Sequence, residues 1–219
     1  MTTPTNVLLF VPNLIGYFRV WCTLTSFVLM LSFEKYWAIA IILYVTSFAG
    51  DLFDGIVARK LNQTSTFGGL LDMITDRCST LGLLYVLGSR QESLRLVYLI
   101  LIVLDISSHW CQMYSSLGTG HHKSKESNEG RNFIVQWYYQ YYAFFGYLCV
   151  GAEFTYIFTF ILHYLSSEST LLFPAFKLLF YLVLPGCVMK QVVNVFQLSS
   201  ACYLVAAQDA KIISERKQS

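Results

Sequence analysis

The sequence predicts an all-α polytopic membrane protein, a bundle of six transmembrane helices, and three observations carry that prediction. Hydrophobic residues make up 55% of the 219-residue chain and charged residues only 13%, with a mean hydropathy of +0.52. A soluble domain would carry about 25% charged residues. The apolar residues gather into six runs of roughly 20 residues or more, the length a helix needs to cross a hydrocarbon core. The connectors are polar and too short to fold alone, so a single membrane domain over residues 1–219 is expected, with no internal repeat and no low-complexity tract.

The first run is Pro12–Phe33. Proline is tolerated in the first turn of a helix, where its missing N–H costs nothing. The start of the chain does not read as a cleaved signal peptide: it lacks a basic n-region, Pro12 interrupts the apolar stretch, and no small-residue cleavage site follows. The second and third runs are Trp37–Arg59 and Phe67–Gly88, joined by the polar connector Lys60–Thr66. A connector this short predicts antiparallel neighbours packed against each other. The fourth run, Leu94–Leu117, carries Asp105 and His109 four residues apart. A polar stretch follows, Gly118–Gln136, whose His121 and His122 lack metal-ligand spacing and read as solvated. The fifth run, Trp137–Leu165, opens on an aromatic stretch, Trp137–Tyr142, that reads as an interfacial belt. The sixth, Leu172–Leu204, carries Lys190 and Asn194.

Six cysteines (Cys22, Cys78, Cys111, Cys149, Cys187 and Cys202) fall singly within these runs, none in CxxC spacing. They read as small buried apolar residues, which argues against a disulfide framework or a zinc site. The net charge of +2 is too small to suggest nucleic acid as a partner. Loop charge is asymmetric. Arg59, Lys60, Lys123, Lys125, Arg131, Lys211, Arg216 and Lys217 collect on one side; on the other, Lys35, Arg90 and Arg95 are diluted by Glu34, Glu92 and Glu168. The positive-inside rule puts both termini and the Lys60–Thr66 connector in the cytosol. The tail, Arg216-Lys217-Gln218-Ser219, is an imperfect relative of a dilysine retrieval signal, which points to the endoplasmic reticulum membrane. The one glycosylation sequon, Asn62-Gln63-Thr64, then lies on the cytosolic side, where no glycan is added.

Four aspartates are the residues a membrane helix should not contain: Asp51 and Asp54 in the second run, Asp72 and Asp76 in the third. Each carboxylate in a spanning helix costs about 2.5–3.5 kcal/mol on insertion scales. Simple ion pairs do not explain four of them, because only Arg59, Lys60 and Arg77 are near in sequence. Asp51 and Asp54 stand roughly 60° apart on one stripe of their helix, together with Gly55, Ala58 and Arg59. Asp72 and Asp76, four apart, share a face of the next. At about 1.5 Å of rise per residue, all four fall at one depth, roughly 8–14 Å from the cytosolic helix ends. Oxygen-only ligands at this density suit hard cations, Mg²⁺ or Mn²⁺, and a pair of such ions can hold a pyrophosphate. Gly55 and Ala58 remove bulk where a ligand could lie, and Arg59 can grip phosphate bidentately. Structural polar residues in a transporter or receptor are the bland alternative, but the ordered spacing across two helices favours a site.

The segment matches Asp-x2-Asp-Gly-x2-Ala-Arg-x8-Gly-x3-Asp-x3-Asp at Asp51, Asp54, Gly55, Ala58, Arg59, Gly68, Asp72 and Asp76. This pattern resembles the signature of the CDP-alcohol phosphatidyltransferases. The resemblance implies six transmembrane helices, a site for two Mg²⁺ or Mn²⁺ ions made by the four aspartates, Asp76 as general base, and a homodimer among membrane lipids. It also implies CDP-diacylglycerol as donor, contacted by Gly55, Arg59 and Ser65. Beyond the signature, VPNLIGYFRV in the first run, LNQTSTFGGLLDMITDRCST around the third and DISSHW in the fourth are similar to the eukaryotic branch of the family whose acceptor is myo-inositol. That implies phosphatidylinositol and CMP as products.

The acceptor site has no comparably sharp motif. Asp105 and His109 are candidates for it, or else hydrogen-bond neighbouring helices. Lys190 and Asn194 could line a polyol pocket, or Lys190 could neutralise Glu153 of the fifth run; the pairing with Glu153 is slightly favoured. Arg77 points some 100° away from Asp76 and could hold a further carboxylate or a headgroup. Arg19 reaches a phosphate only if the first helix borders the site. Two rival functions stand beside phosphatidyl transfer to inositol. One is the same chemistry with glycerol 3-phosphate or another alcohol, which should require additional cations in the pocket. The other is a cation-dependent transporter, whose carboxylates should continue across the bilayer rather than cluster at one depth.

Overall fold

The computed structural model describes residues 3–118, 141–165 and 171–217. Among the described residues there are seven α-helices and no strand: α1 (Pro4–Leu8), α2 (Val11–Ser32), α3 (Trp37–Lys60), α4 (Thr66–Arg90), α5 (Arg95–Gly118), α6 (Tyr142–Tyr164) and α7 (Leu172–Arg216). His121, His122 and most of the aromatic stretch that begins at Trp137 lie outside them. Five helices (α2, α3 with its preceding turn, α5, α6 and α7) are long and apolar enough to cross a membrane. The chain is an all-α polytopic membrane protein. Of the six expected spans, the third is the exception by composition. At 25 residues α4 has the length, but Asp72, Asp76, Arg77 and a series of hydroxyls make it less apolar than the others, and it buries Thr75 and Thr80 inside the bundle.

Local chemistry sets the helix ends next to the aspartates. Asn62 adopts a left-handed backbone conformation, φ 52°, which asparagine tolerates better than most residues. This lets Asn62 N–H bond the Arg59 carbonyl at 3.4 Å and Gln63 N–H bond the Ala58 carbonyl at 2.9 Å, closing α3 with a Schellman turn. Three residues later Ser65 caps α4, its Oγ accepting from Gly68 N–H at 3.0 Å. Gln63 then reaches across to α2, where its Oε1 accepts from Val11 N–H at 2.9 Å. The connector thus ties the starts of α2 and α4 to the end of α3. At the other extreme α7 runs on to Arg216, beyond the expected end near Leu204. No glycine or proline follows Gly186, and good helix formers such as Ala206, Ala207, Lys211 and Glu215 carry it on.

Helix contacts run in the order α3–α2–α4–α5–α7–α6, and α6 returns against α3 and α4 to close the bundle. This corrects one expectation. The aspartate helices α3 and α4 are not packed face to face; α2 lies against both. Four carboxylates on two opposed faces would repel, and a third helix bearing a cation relieves that. Small residues permit the approach: a Cβ built at Gly82 would lie 2.2 Å from the Phe27 ring, so α2 seats an aromatic directly on α4. The apolar core sits towards the end of the bundle away from the aspartates, with Met30, Tyr44, Leu83, Leu84, Leu87, Ile157 and Phe160 at 2% exposure or less. Outward-facing Leu52, Phe53, Leu96, Leu99 and Val103 are exposed, as a lipid-facing surface requires. Cys78 and Cys202 belong to that exposed set, against the expectation that every cysteine is buried, and all six are free thiols.

Candidate active site

The four aspartates converge as their spacing predicts, but on a residue the spacing could not supply. Arg19 of α2, only 2% exposed, places its guanidinium among all of them. Its Nη1 lies 2.6 Å from Asp54 and 2.8 Å from Asp72; its Nη2 lies 3.1 Å from Asp51 and 2.5 Å from Asp76. Its Nε donates to the Ser47 carbonyl at 3.2 Å, which anchors the side chain to α3. Gly50 makes room for it, since a Cβ there would stand 2.8 Å from Arg19 Cγ. An arginine within a spanning helix is a functional candidate by its cost alone; that was the available signal.

Asp51, Asp72 and Asp76 each offer an oxygen within 4.8 Å of the others, close enough to share a cation. Asp54 stands outside that group of three and joins it through Arg19. With every group ionised, four negative charges and one positive leave the cluster at −3. Carboxylate oxygens alone, in excess negative charge, fit a hard divalent cation.

Two cavities meet at this cluster. The larger, about 660 Å³, is lined on one side by Arg19, Asp51, Asp72 and Asp76, and on the other by Tyr44, Arg77, Asp105, His109, Glu153, Tyr156 and Lys190. The smaller, about 230 Å³, lies against Asn13, Asp54, Gly55, Arg59, Ser65, Gly68 and Asp72. Asp72 lines both. The residues expected to touch the donor, Gly55, Arg59 and Ser65, all border the smaller cleft. Asn13 and Gln63 also border it; each lies in a stretch that resembles the family, but the sequence singles neither out for the site.

In the larger chamber Arg77 Nη1 donates to both oxygens of Asp105, at 2.9 and 3.1 Å, and lies 3.5 Å from His109 Nε2. His109 Nδ1 is 2.8 Å from the Asp105 carbonyl. Glu153 accepts a short hydrogen bond from the Tyr44 hydroxyl and lies 3.0 Å from Thr80 Oγ1, which is itself 3.1 Å from the Asp76 carbonyl. The expected pairing of Lys190 with Glu153 is not made; the Tyr44 and Thr80 hydroxyls bond the Glu153 oxygens. Lys190 lines the chamber instead. Asn194 is buried at 1% exposure and stands behind the wall, its Nδ2 donating to Gln191 Oε1 at 3.3 Å.

The helices and this site define an integral membrane protein with a carboxylate cluster set between two cavities. The family model for CDP-alcohol phosphatidyltransferase matches residues 9–167, and the chain belongs to that family. Among curated relatives, the chain is 36% identical over 212 residues to the probable CDP-diacylglycerol–inositol 3-phosphatidyltransferase 2 of Arabidopsis thaliana, covering 93% of this chain and 92% of the relative. It is 34% identical over 216 residues to the CDP-diacylglycerol–inositol 3-phosphatidyltransferase of Homo sapiens, with 97% and 98% covered. The Saccharomyces cerevisiae protein of the same description is 35% identical over 216 residues, with 99% and 94% covered. No solved structure matches the chain.

Proposed function

We propose that this chain is a CDP-diacylglycerol–inositol 3-phosphatidyltransferase, which moves the phosphatidyl group of CDP-diacylglycerol onto myo-inositol and releases CMP. The observation that carries the reading is the convergence of four aspartates at the junction of two cavities, one bordered by Gly55, Arg59 and Ser65, the residues expected to contact the donor, and one lined by hydrogen-bonding side chains that suit a polyol.

The donor's tails remain in lipid, and its cytidine diphosphate enters the smaller cleft against Gly55, Arg59 and Ser65. Asp51, Asp54, Asp72 and Asp76 would hold two divalent ions, Mg²⁺ or Mn²⁺. Bound there, the ions supply the positive charge that offsets the pyrophosphate and stabilises the leaving group. Inositol enters the larger chamber, among Asp105, His109 and Lys190. Asp76 takes the proton from the attacking hydroxyl. The new O–P bond forms at the phosphorus that bears diacylglycerol, the bond from that phosphorus to the bridging oxygen breaks, and CMP departs with the electron pair. Among the described residues no serine, cysteine or histidine is placed as an obvious nucleophile, so direct displacement is the economical route. Catalysis then rests on positioning and charge stabilisation.

The loop-charge asymmetry supports a cytosolic site with both termini cytosolic, in the endoplasmic reticulum membrane. Family resemblance supports a homodimer built from one domain, residues 1–219. The test is the purified protein with CDP-diacylglycerol, each acceptor alcohol offered in turn, and CMP release followed. Release with inositol and not with glycerol 3-phosphate is expected; turnover with glycerol 3-phosphate alone would reassign the acceptor.

A further inference from the structure

The larger chamber holds its charges in balance. Apart from Arg19 and the aspartate cluster, the charged side chains that line it among the described residues are Arg77 and Lys190 on one side of the ledger and Asp105 and Glu153 on the other. The four are buried or nearly so: Asp105 is 8% exposed, Glu153 7% and Lys190 6%, and the Arg77 side chain is 27% exposed. Asp105 sits squarely on Arg77, both of its oxygens within 3.1 Å of one guanidinium nitrogen. Glu153 keeps both oxygens on hydroxyls, those of Tyr44 and Thr80. Its negative charge in the wall is thus hydrogen-bonded but not paired with a neighbouring cation.

An anionic acceptor and a neutral polyol place opposite demands on such a chamber. A phosphate monoester leaving water needs cations with free donors. Here Asp105 already neutralises the Arg77 guanidinium, and the other cation of the chamber, Lys190, is matched in charge by the Glu153 carboxylate, so an incoming anion meets no excess of positive charge and a carboxylate that repels it. A neutral polyol needs hydrogen-bond donors and acceptors of both kinds. The Arg77–Asp105–His109 group and the Glu153–Tyr44–Thr80 group supply both.

We propose that Asp105 is a specificity-determining residue: by neutralising Arg77 in the acceptor chamber it restricts the acceptor to uncharged polyols and excludes phosphorylated ones, with Glu153 adding to the exclusion. The inference rests on the phosphatidyl-transfer reading and deepens it. Removing the Asp105 charge while keeping its shape should release Arg77 to bind phosphate, so a loss of discrimination should appear as a gain of activity, which a merely structural role would not give.

The experiment uses the purified full-length protein with CDP-diacylglycerol, CMP release as readout, and myo-inositol, inositol 1-phosphate and glycerol 3-phosphate as acceptors. Wild type should use inositol far better than either phosphorylated acceptor, whose turnover stays near background. Asp105→Asn should raise kcat/KM for inositol 1-phosphate itself by about tenfold or more, and with it the ratio to inositol, mainly through KM, since one charged hydrogen-bonding group is freed. Asp105→Glu should keep the wild-type preference. The double variant Arg77→Gln, Asp105→Asn should lose the gain, because no guanidinium is left to bind phosphate. An unchanged ratio in Asp105→Asn, or a gain that survives in the double variant, overturns the inference. Should Asp105→Asn not fold, competition in the wild type decides: inositol 1-phosphate inhibiting inositol turnover at concentrations near the inositol KM overturns it, and inhibition only at about tenfold higher concentrations or more supports it. CMP release with none of the three acceptors would instead bring down the phosphatidyl-transfer reading itself.

Discussion

Replacing Arg19 with glutamine should destabilise the protein in the absence of divalent cations and make it unusually dependent on them. The structure sets the size of the effect. Arg19 is 2% exposed and stands within 2.5–3.1 Å of an oxygen on each of four aspartates. Removing one partner of a buried ion pair costs about 3–5 kcal/mol, because the other charge is left uncompensated. The lower end applies here, since the Asp72 side chain keeps 44% exposure and those of Asp51 and Asp76 keep 32% each, so water bears part of the charge. Each kcal/mol moves Tm by about 2–4 °C for a chain of this length, so a loss of about 3 kcal/mol should lower it by roughly 6–12 °C in EDTA. Glutamine is smaller than arginine and overfills nothing beside Gly50. The assay is thermal unfolding in detergent micelles by tryptophan fluorescence, with EDTA and then with Mg²⁺ or Mn²⁺. Divalent cations should raise the Tm of Arg19→Gln by more than they raise that of wild type, because they take over the neutralisation that the guanidinium provides. Arg19→Lys should fall between the two, keeping the charge but not the two-nitrogen fork. A Tm for Arg19→Gln in EDTA indistinguishable from wild type, with equal cation responses, would refute the account of Arg19 as the counter-charge of the cluster.

Three further outcomes are expected. Turnover should stop in EDTA and return with Mg²⁺ or Mn²⁺, and Asp72→Asn should lose activity that added cation recovers only in part while the protein remains folded; full turnover in EDTA would sink the two-ion site. Asp76→Asn should abolish turnover far more completely than it weakens CDP-diacylglycerol binding, measured by retention of labelled donor, and a parallel collapse of affinity would make Asp76 chiefly a ligand. Asn62, exposed in the connector, should carry no glycan, and the tail beyond Arg216 should be open to protease in sealed microsomes. A glycan on Asn62 or a protected tail would put the site in the lumen.

Much of the site was written in local spacing. Three- and four-residue intervals place Asp51 with Asp54 and Asp72 with Asp76 on single helix faces whatever the rest of the chain does, and the short connector forces the two pairs to one depth. Helix limits near the site were legible for the same reason: Asn62 and Ser65 end and begin helices through bonds to their own neighbours. Composition alone required a membrane bundle. Local rules could not say which faces meet. That α2 lies against both α3 and α4, bringing Arg19 among aspartates 32 to 57 positions away in the chain, depends on volumes fitting at Gly50 and Gly82. The pairing of Arg77 with Asp105, and of Glu153 with Tyr44 and Thr80 instead of Lys190, likewise followed from helix rotation about the bundle. A helix presents every residue to some direction, and its sequence fixes the angles between side chains but not the angle of the whole to its neighbours. Packing decides that last angle, and with it the charge balance of the larger chamber.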